Sequence, residues 1–208
     1  HYPTGVTMPL SRRLELLDWA REAKAIIIED DYDSEYRYVG RPLPALSSLD
    51  RSSSVIYSGT FSKVFSPIVR LGYIVVPQSM VEAFREARST HGAPPSLLAQ
   101  PALAEYLASG AFAVHIRRMR RIYAARRLKL IEALQPGDGK LFTLEASPAG
   151  LMVLLRLDAA SDDEAICRML AAHRIEAQPL STHYSGRARQ QGLLLGFAGF
   201  AEKQLVDS

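Results

Sequence analysis

Hydrophobic positions along the chain switch between helical spacing and short uninterrupted runs. In residues 9–22, Leu10, Leu14, Leu16, Leu17 and Ala20 fall close to one stripe at a period near 3.6, which predicts an amphipathic helix. Residues 25–28 then run without alternation into Glu29-Asp30-Asp31, the pattern of a strand covered on both faces. Residues 54–58 and 72–76 read as two further strands, the second stopped by Pro77. Helical spacing returns over residues 80–87 and again from about Ser96 to Leu134, with a break near Ser109-Gly110.

After Pro136-Gly137-Asp138-Gly139 the texture changes. Residues 151–155 predict a strand, residues 162–172 a helix with Ser161 as its N-cap, and residues 175–179 and 193–197 further short strands. The expected fold class is therefore α/β. The first part, residues 1–112, would carry a mostly parallel sheet, and residues 113–208 a linking helix and a small α+β domain.

Composition narrows the class of protein without naming it. The 208 residues are 48% apolar and 23% charged, which argues against extended disorder and coiled coil. Twenty-five basic residues against 22 acidic ones give a net charge of +3, too balanced to imply nucleic-acid binding. No apolar run reaches the ~20 residues of a membrane span. The single cysteine, Cys167, forms no internal disulfide and no zinc pair, so no metal is expected and a cytoplasmic setting is. The N-terminal His1-Tyr2-Pro3-Thr4-Gly5 reads as the middle of a longer sequence.

Two segments carry candidate chemistry. Asp30-Asp31-Tyr32 ends the first strand, where the carboxyl ends of an open α/β sheet face a ligand crevice; taken alone, it also fits a solvated strand end. Ser58-Gly59-Thr60-Phe61-Ser62-Lys63 follows the second strand, and small residues with hydroxyls in a turn can hold a phosphate. Lys63 offers an amine nucleophile, and Arg70 a bidentate anion contact. Together, an acid, a hydroxyl-rich turn with a lysine, and an arginine match the needs of pyridoxal phosphate.

The same residues resemble fold-type I aminotransferases and, more narrowly, the MocR family of bacterial GntR-type regulators, whose effector domain is aminotransferase-like. The narrower likeness rests on Tyr2-Pro3-Thr4-Gly5, on the run from Ile28-Glu29-Asp30-Asp31-Tyr32-Asp33-Ser34-Glu35 to Tyr38, and on Pro42-Leu43-Pro44-Ala45-Leu46. Gly59-Thr60-Phe61-Ser62-Lys63, Arg70-Leu71-Gly72-Tyr73 and Leu195-Gly196-Phe197-Ala198 extend it almost to the end of the chain.

The resemblance implies a partial fold-type I large domain followed by a small C-terminal domain. It implies that Lys63 is the Schiff-base lysine, Asp30 the partner of the pyridine nitrogen and Tyr32 a donor to the cofactor's phenolic oxygen. Thr60, Ser62 and Arg70 would take the phosphate. It further implies a homodimer and a small-molecule effector: an amino acid, an amine or pyridoxal phosphate itself. DNA contact would belong to an N-terminal winged helix outside this chain. A true aminotransferase acting on an amino acid or amine is the alternative.

Two positions depart from the pattern. Tyr2 stands where many aminotransferases have an asparagine beside the phenolic oxygen. Thr182 stands where a γ-aminobutyrate-responsive family member has its carboxylate-binding arginine; Arg187 or Arg189 would be the substitutes. The basic run Arg117, Arg118, Arg120, Arg121, Arg126, Arg127 and Lys129 reads as a solvated helix, its charges spread around the circumference. Cys167 reads as a core thiol, and His183 as a surface loop residue.

Overall fold

A computed structural model of the chain describes residues 1–92, 97–134, 141–186 and 188–205. The chain divides into two compact units. One comprises residues 8–35 and 41–116; the other comprises residues 1–7, 36–40 and 117–208.

The unit of residues 8–35 and 41–116 opens with α1 (Leu10–Ala23), which ends at Lys24 in the left-handed conformation. The Lys24 N–H reaches back to Ala20 and Arg21 carbonyls, closing the helix end and turning the chain into β1 (Ile27–Asp31). α1 turns Leu17 and Ala20 inward. Leu17 packs with Leu46 of the short α2 (Leu46–Leu49) and with Val55 of β2 (Val55–Thr60), and Ile27 joins from β1. Glu29 fastens this layer: its carboxylate accepts the Leu46 and Ser47 N–H groups at 2.8 and 3.0 Å and pairs with Arg13. A sheet residue thus satisfies the orphan donors at the start of α2.

β1 and β2 are parallel, with Asp30 opposite Ser58 and Asp31 opposite Gly59. β3 (Gly72–Val75) joins β2 antiparallel, pairing Gly59 with Tyr73 and Thr60 with Gly72. The sheet therefore mixes both pairings rather than being mostly parallel. The physical reason is the connection: eleven residues separate Thr60 from Gly72 and hold only a 3₁₀ turn at Pro67–Val69, too little chain for a helical crossover. The expectation that the first strand is covered on both faces also needs correction, since Ile28 is 72% exposed. Ile27, Glu29 and Asp31 face the α1 and α2 layer by strand alternation, and Ile28 and Asp30 face the other way.

Three helices complete the run. α3 (Val81–His91) and α4 (Ala99–Ala108) precede α5 (Ala111–Ala133), and Gly110 at φ 75° breaks the last two apart where the Ser109-Gly110 signal placed the interruption. The expected start near Ser96 lies outside the described residues. Ile116 is the last residue of the first unit and Arg117 the first of the next segment of the other.

The second unit holds a four-stranded antiparallel sheet of β4 (Thr143–Glu145), β5 (Met152–Arg156), β6 (Gln178–Pro179) and β7 (Gly192–Gly196), in the order β4-β5-β7-β6. Val153 and Phe197 pack with Leu130 of α5, and Leu154, Leu194 and Leu180 form a second cluster. α6 (Asp163–Ala172) is capped by Asp162, whose carboxylate accepts the Ala165 N–H at 2.8 Å; Ser161 is not the cap. Asp163, 1% exposed, binds the Ser181 N–H and hydroxyl at 2.9 and 2.6 Å and the Gly192 N–H at 3.0 Å. One carboxylate thereby ties the helix start to the loop after β6 and to β7.

The arginines of α5 are not uniformly solvated. Arg126 donates to the Ala198 carbonyl and Arg127 to that of Ser147 at 2.7 Å, with Arg127 also lying over the Tyr38 ring. Burial lowers the Arg127 pKa from its ordinary value. Cys167 is half-buried, and burial, with Asp163 and Glu164 nearby, raises its thiol pKa.

Candidate functional site

Every residue proposed for cofactor contact lies in the unit of residues 8–35 and 41–116. Asp30 is the penultimate residue of β1 and sits in register with Ser58 on the parallel neighbour. Alternation sends its carboxylate away from the α1 and α2 layer, to the exposed side. Two residues beyond Ser58, β2 ends at Thr60, and the chain turns at once: Phe65 and Ser66 N–H groups return to the Phe61 carbonyl at 2.9 and 3.1 Å. Lys63 stands exposed in this turn. The Thr60 hydroxyl accepts the Ser62 N–H at 3.1 Å, holding both hydroxyl residues in one tight corner.

Arg70 lies seven residues beyond Lys63 on the connection between β2 and β3. It follows the 3₁₀ turn with φ 49°, a left-handed conformation that costs an arginine about 1 kcal/mol. Such a conformation persists where surrounding structure fixes it. Here the next residue, Leu71, is buried and its carbonyl accepts the Phe61 N–H at 3.1 Å. Arg70 is thus placed one residue from the Phe61–Leu71 bond and two from Gly72, the partner of Thr60.

Gly59 is required by close approach. A Cβ built there would stand 2.6 Å from the Tyr73 hydroxyl, because that ring lies close over Gly59, tilted against Phe61 at 5.4 Å and Tyr57 at 6.0 Å. Gly59→Ala is expected to push Tyr73 off this stack and to cost about 1–3 kcal/mol, read as a lower urea midpoint. An unchanged midpoint would show that the ring swings aside freely.

Tyr32 lies just past the end of β1, half-buried, beside Asp33. Burial raises the Asp33 pKa, with Asp31 adding to the rise and Lys63 opposing it. A cleft of 830 Å³ opens next to this corner, lined by Ser58, Gly59, Tyr73, Phe84 and Arg88; Asp30, Lys63 and Arg70 do not line it. Among the described residues, no group of three or more His, Cys, Asp or Glu residues is placed to hold a metal ion.

Tyr2 belongs to the other unit. Its hydroxyl donates to Gln178 at 2.8 Å and its ring meets His183 edge-on at 5.1 Å; His183 is exposed, at the end of a 3₁₀ turn rather than in a loop. Thr182 donates to the Pro179 carbonyl and Arg189 to that of Gly186; Arg187 lies outside the described residues. The Tyr2–Gln178 contact had no sequence signal, because 176 residues separate its partners.

An acid in register beside the strand that runs toward a hydroxyl corner, a lysine and an arginine fits an aminotransferase-like large domain, and the comparisons show that family. The family model for aminotransferase class I and II matches residues 1–192; the chain belongs to that family. It is 40% identical over 98% of its length to the probable rhizopine catabolism regulatory protein MocR of Rhizobium meliloti, covering 41% of that protein. To the pyridoxine biosynthesis transcriptional regulator PdxR of Corynebacterium glutamicum it is 36% identical over 98% of its length, covering 44%. In structure it matches a Pyrococcus horikoshii kynurenine aminotransferase with a TM-score of 0.88, at 28% identity, covering 99% of this chain and 51% of that one. The MocR likeness read from the Glu29-Asp30-Asp31-Tyr32 run therefore holds. The chain spans less than half the length of these regulators.

Proposed function

We propose that the chain is the effector-sensing, pyridoxal-phosphate-binding part of a DNA-binding transcriptional regulator. The observation that carries this reading is the register of Asp30 with Ser58, which sets an acid beside the strand that runs directly into Thr60, Ser62 and Lys63. The residues fit the cofactor's needs. Asp30 offers a carboxylate to a ring nitrogen, and Tyr32 a hydroxyl to the ring's phenolic oxygen. Thr60, Ser62 and Arg70 offer two hydroxyls and a guanidinium to a phosphate, and Lys63 an amine. Bound there, pyridoxal phosphate supplies an electron-withdrawing ring and a carbon that condenses with amines.

The regulator reading is supported by relatives that are themselves described as regulators across nearly the whole of this chain. The effector class that follows is an amino acid, an amine or the cofactor itself, because the site already presents an amine, Lys63, and a competing amine changes the charge held there. DNA contact falls to a segment outside these residues, the working form is a homodimer, and the setting is cytoplasmic. No helix among the described residues is long and apolar enough to cross a membrane.

A second reading is favoured by the 0.88 TM-score match: a true aminotransferase, in which Lys63 also moves protons at the substrate carbon. Titrating the chain with pyridoxal phosphate tests what both share. A band near ~420 nm and, after borohydride reduction, cofactor mass fixed to a peptide holding Lys63 are expected. No band at saturating cofactor leaves only an interaction module that kept the fold. Steady keto-acid formation with an amino donor would replace the sensor reading by the enzyme one.

A further inference from the structure

We propose that Asp31, the second acid of the Asp30-Asp31 pair, is a positioning residue that locks the segment bearing Asp30 and Tyr32 to the strand leading to Lys63. The proposal rests on the pyridoxal phosphate reading and assigns Asp31 a part that neither acid's place in the sequence distinguishes. Strand alternation turns Asp31 to the side opposite Asp30, so it does not share Asp30's face. Its carboxylate instead makes three bonds. Oδ2 accepts the Ser34 hydroxyl at 2.6 Å and the Tyr57 hydroxyl at 2.9 Å, and Oδ1 accepts the Ser34 N–H at 3.1 Å.

The two Ser34 bonds close the turn that contains Tyr32 and Asp33. The Tyr57 bond crosses to β2, three residues before Thr60, and Asp31 is also the register partner of Gly59. One carboxylate therefore joins the two segments whose separation sets how the cofactor's ring and phosphate can be gripped together. The Tyr57 phenol responds to the same contact: burial and the bond to Asp31 push its pKa well above the ordinary tyrosine value, keeping the donor protonated. Tyr57 is held in turn against Tyr73 at 6.0 Å.

The test compares wild type, Asp31→Asn, Tyr57→Phe, Ser34→Ala and the Asp31→Asn/Tyr57→Phe pair by titration with pyridoxal phosphate. Each single change is expected to weaken cofactor binding by about tenfold, the scale of one lost charge-assisted hydrogen bond. The pair should cost little more than the larger single loss, because both changes act on the same bond, Asp31→Asn by removing its charge and Tyr57→Phe by removing its donor. The pH midpoint of the visible band should shift in the same direction in Asp31→Asn and Tyr57→Phe. A purely structural role would lower the melting temperature and leave that midpoint in place. Unchanged affinity and midpoint in Asp31→Asn, or additive losses in the pair, overturn the proposal while the cofactor reading stands. A wild-type chain with no visible band overturns both. Should Asp31→Asn fail to fold, Tyr57→Phe and Ser34→Ala each delete one bond and leave the carboxylate, and they decide the question.

Discussion

In a Lys63→Ala chain the visible cofactor band is expected to be absent at every concentration of pyridoxal phosphate, whereas Lys129→Ala should keep it. The contrast follows from placement. The chain has five lysines, and among the described ones Lys63 alone follows a strand that ends in a hydroxyl corner next to an acid in register. Lys129 sits on α5, bound to Glu132 at 2.9 Å, and Lys24 caps α1. Removing the Lys63 amine deletes covalent attachment but leaves Asp30, Thr60, Ser62 and Arg70 to hold the cofactor reversibly. Fluorescence quenching should still report binding, weaker by two orders of magnitude or more, on the order of 3 kcal/mol or above. A Lys63→Ala chain that keeps the band, with reduction fixing cofactor mass elsewhere, would move the site to another lysine.

The second large effect lies in the other unit. Asp163→Ala is expected to cost about 3–5 kcal/mol of stability, read as a fall in the urea midpoint followed by far-ultraviolet circular dichroism. The carboxylate is almost fully buried and is the sole acceptor shown for the Ser181 N–H and hydroxyl and the Gly192 N–H. Alanine leaves these donors in an apolar setting, where each unsatisfied group carries its own desolvation penalty. Gly192 has no room to adjust: a Cβ there would lie 2.8 Å from the Leu155 carbonyl, so β7 is pressed against β5 at this point. Asp163→Asn keeps one acceptor oxygen and should lose less. Equal loss in both variants would mean that neither the retained volume nor a single amide oxygen compensates for the carboxylate.

The α1 helix, the Ile-rich start of β1 and the Gly110 break between α4 and α5 were legible because each is a local signal: a period, an apolar run, a residue that tolerates positive φ. Of the expected α1 stripe, however, Leu17 and Ala20 are buried whereas Leu10 and Leu14 stand exposed. Asp30, Lys63 and Arg70 were singled out because they flank short apolar runs that read as strands, and their part in holding a cofactor stays with the proposal. β4 was missed because three residues carry no period, and it forms only when β5 is there to pair with it. The antiparallel seating of β3 is settled by pairing with β2 and by a connection too short to cross over.

By itself, then, the order of residues determined most of the helices and strands and that the chain is an α/β protein of aminotransferase type. Only the tertiary structure decided what the two acids of β1 do, because Asp30 and Asp31 are alike in sequence and differ by the face on which alternation places them. It likewise decided the tasks of Asp163, Tyr2 and Gly59, whose partners lie 14 to 181 residues away. Contacts over such distances come into being when the sheets assemble, and no window along the chain contains both ends of them.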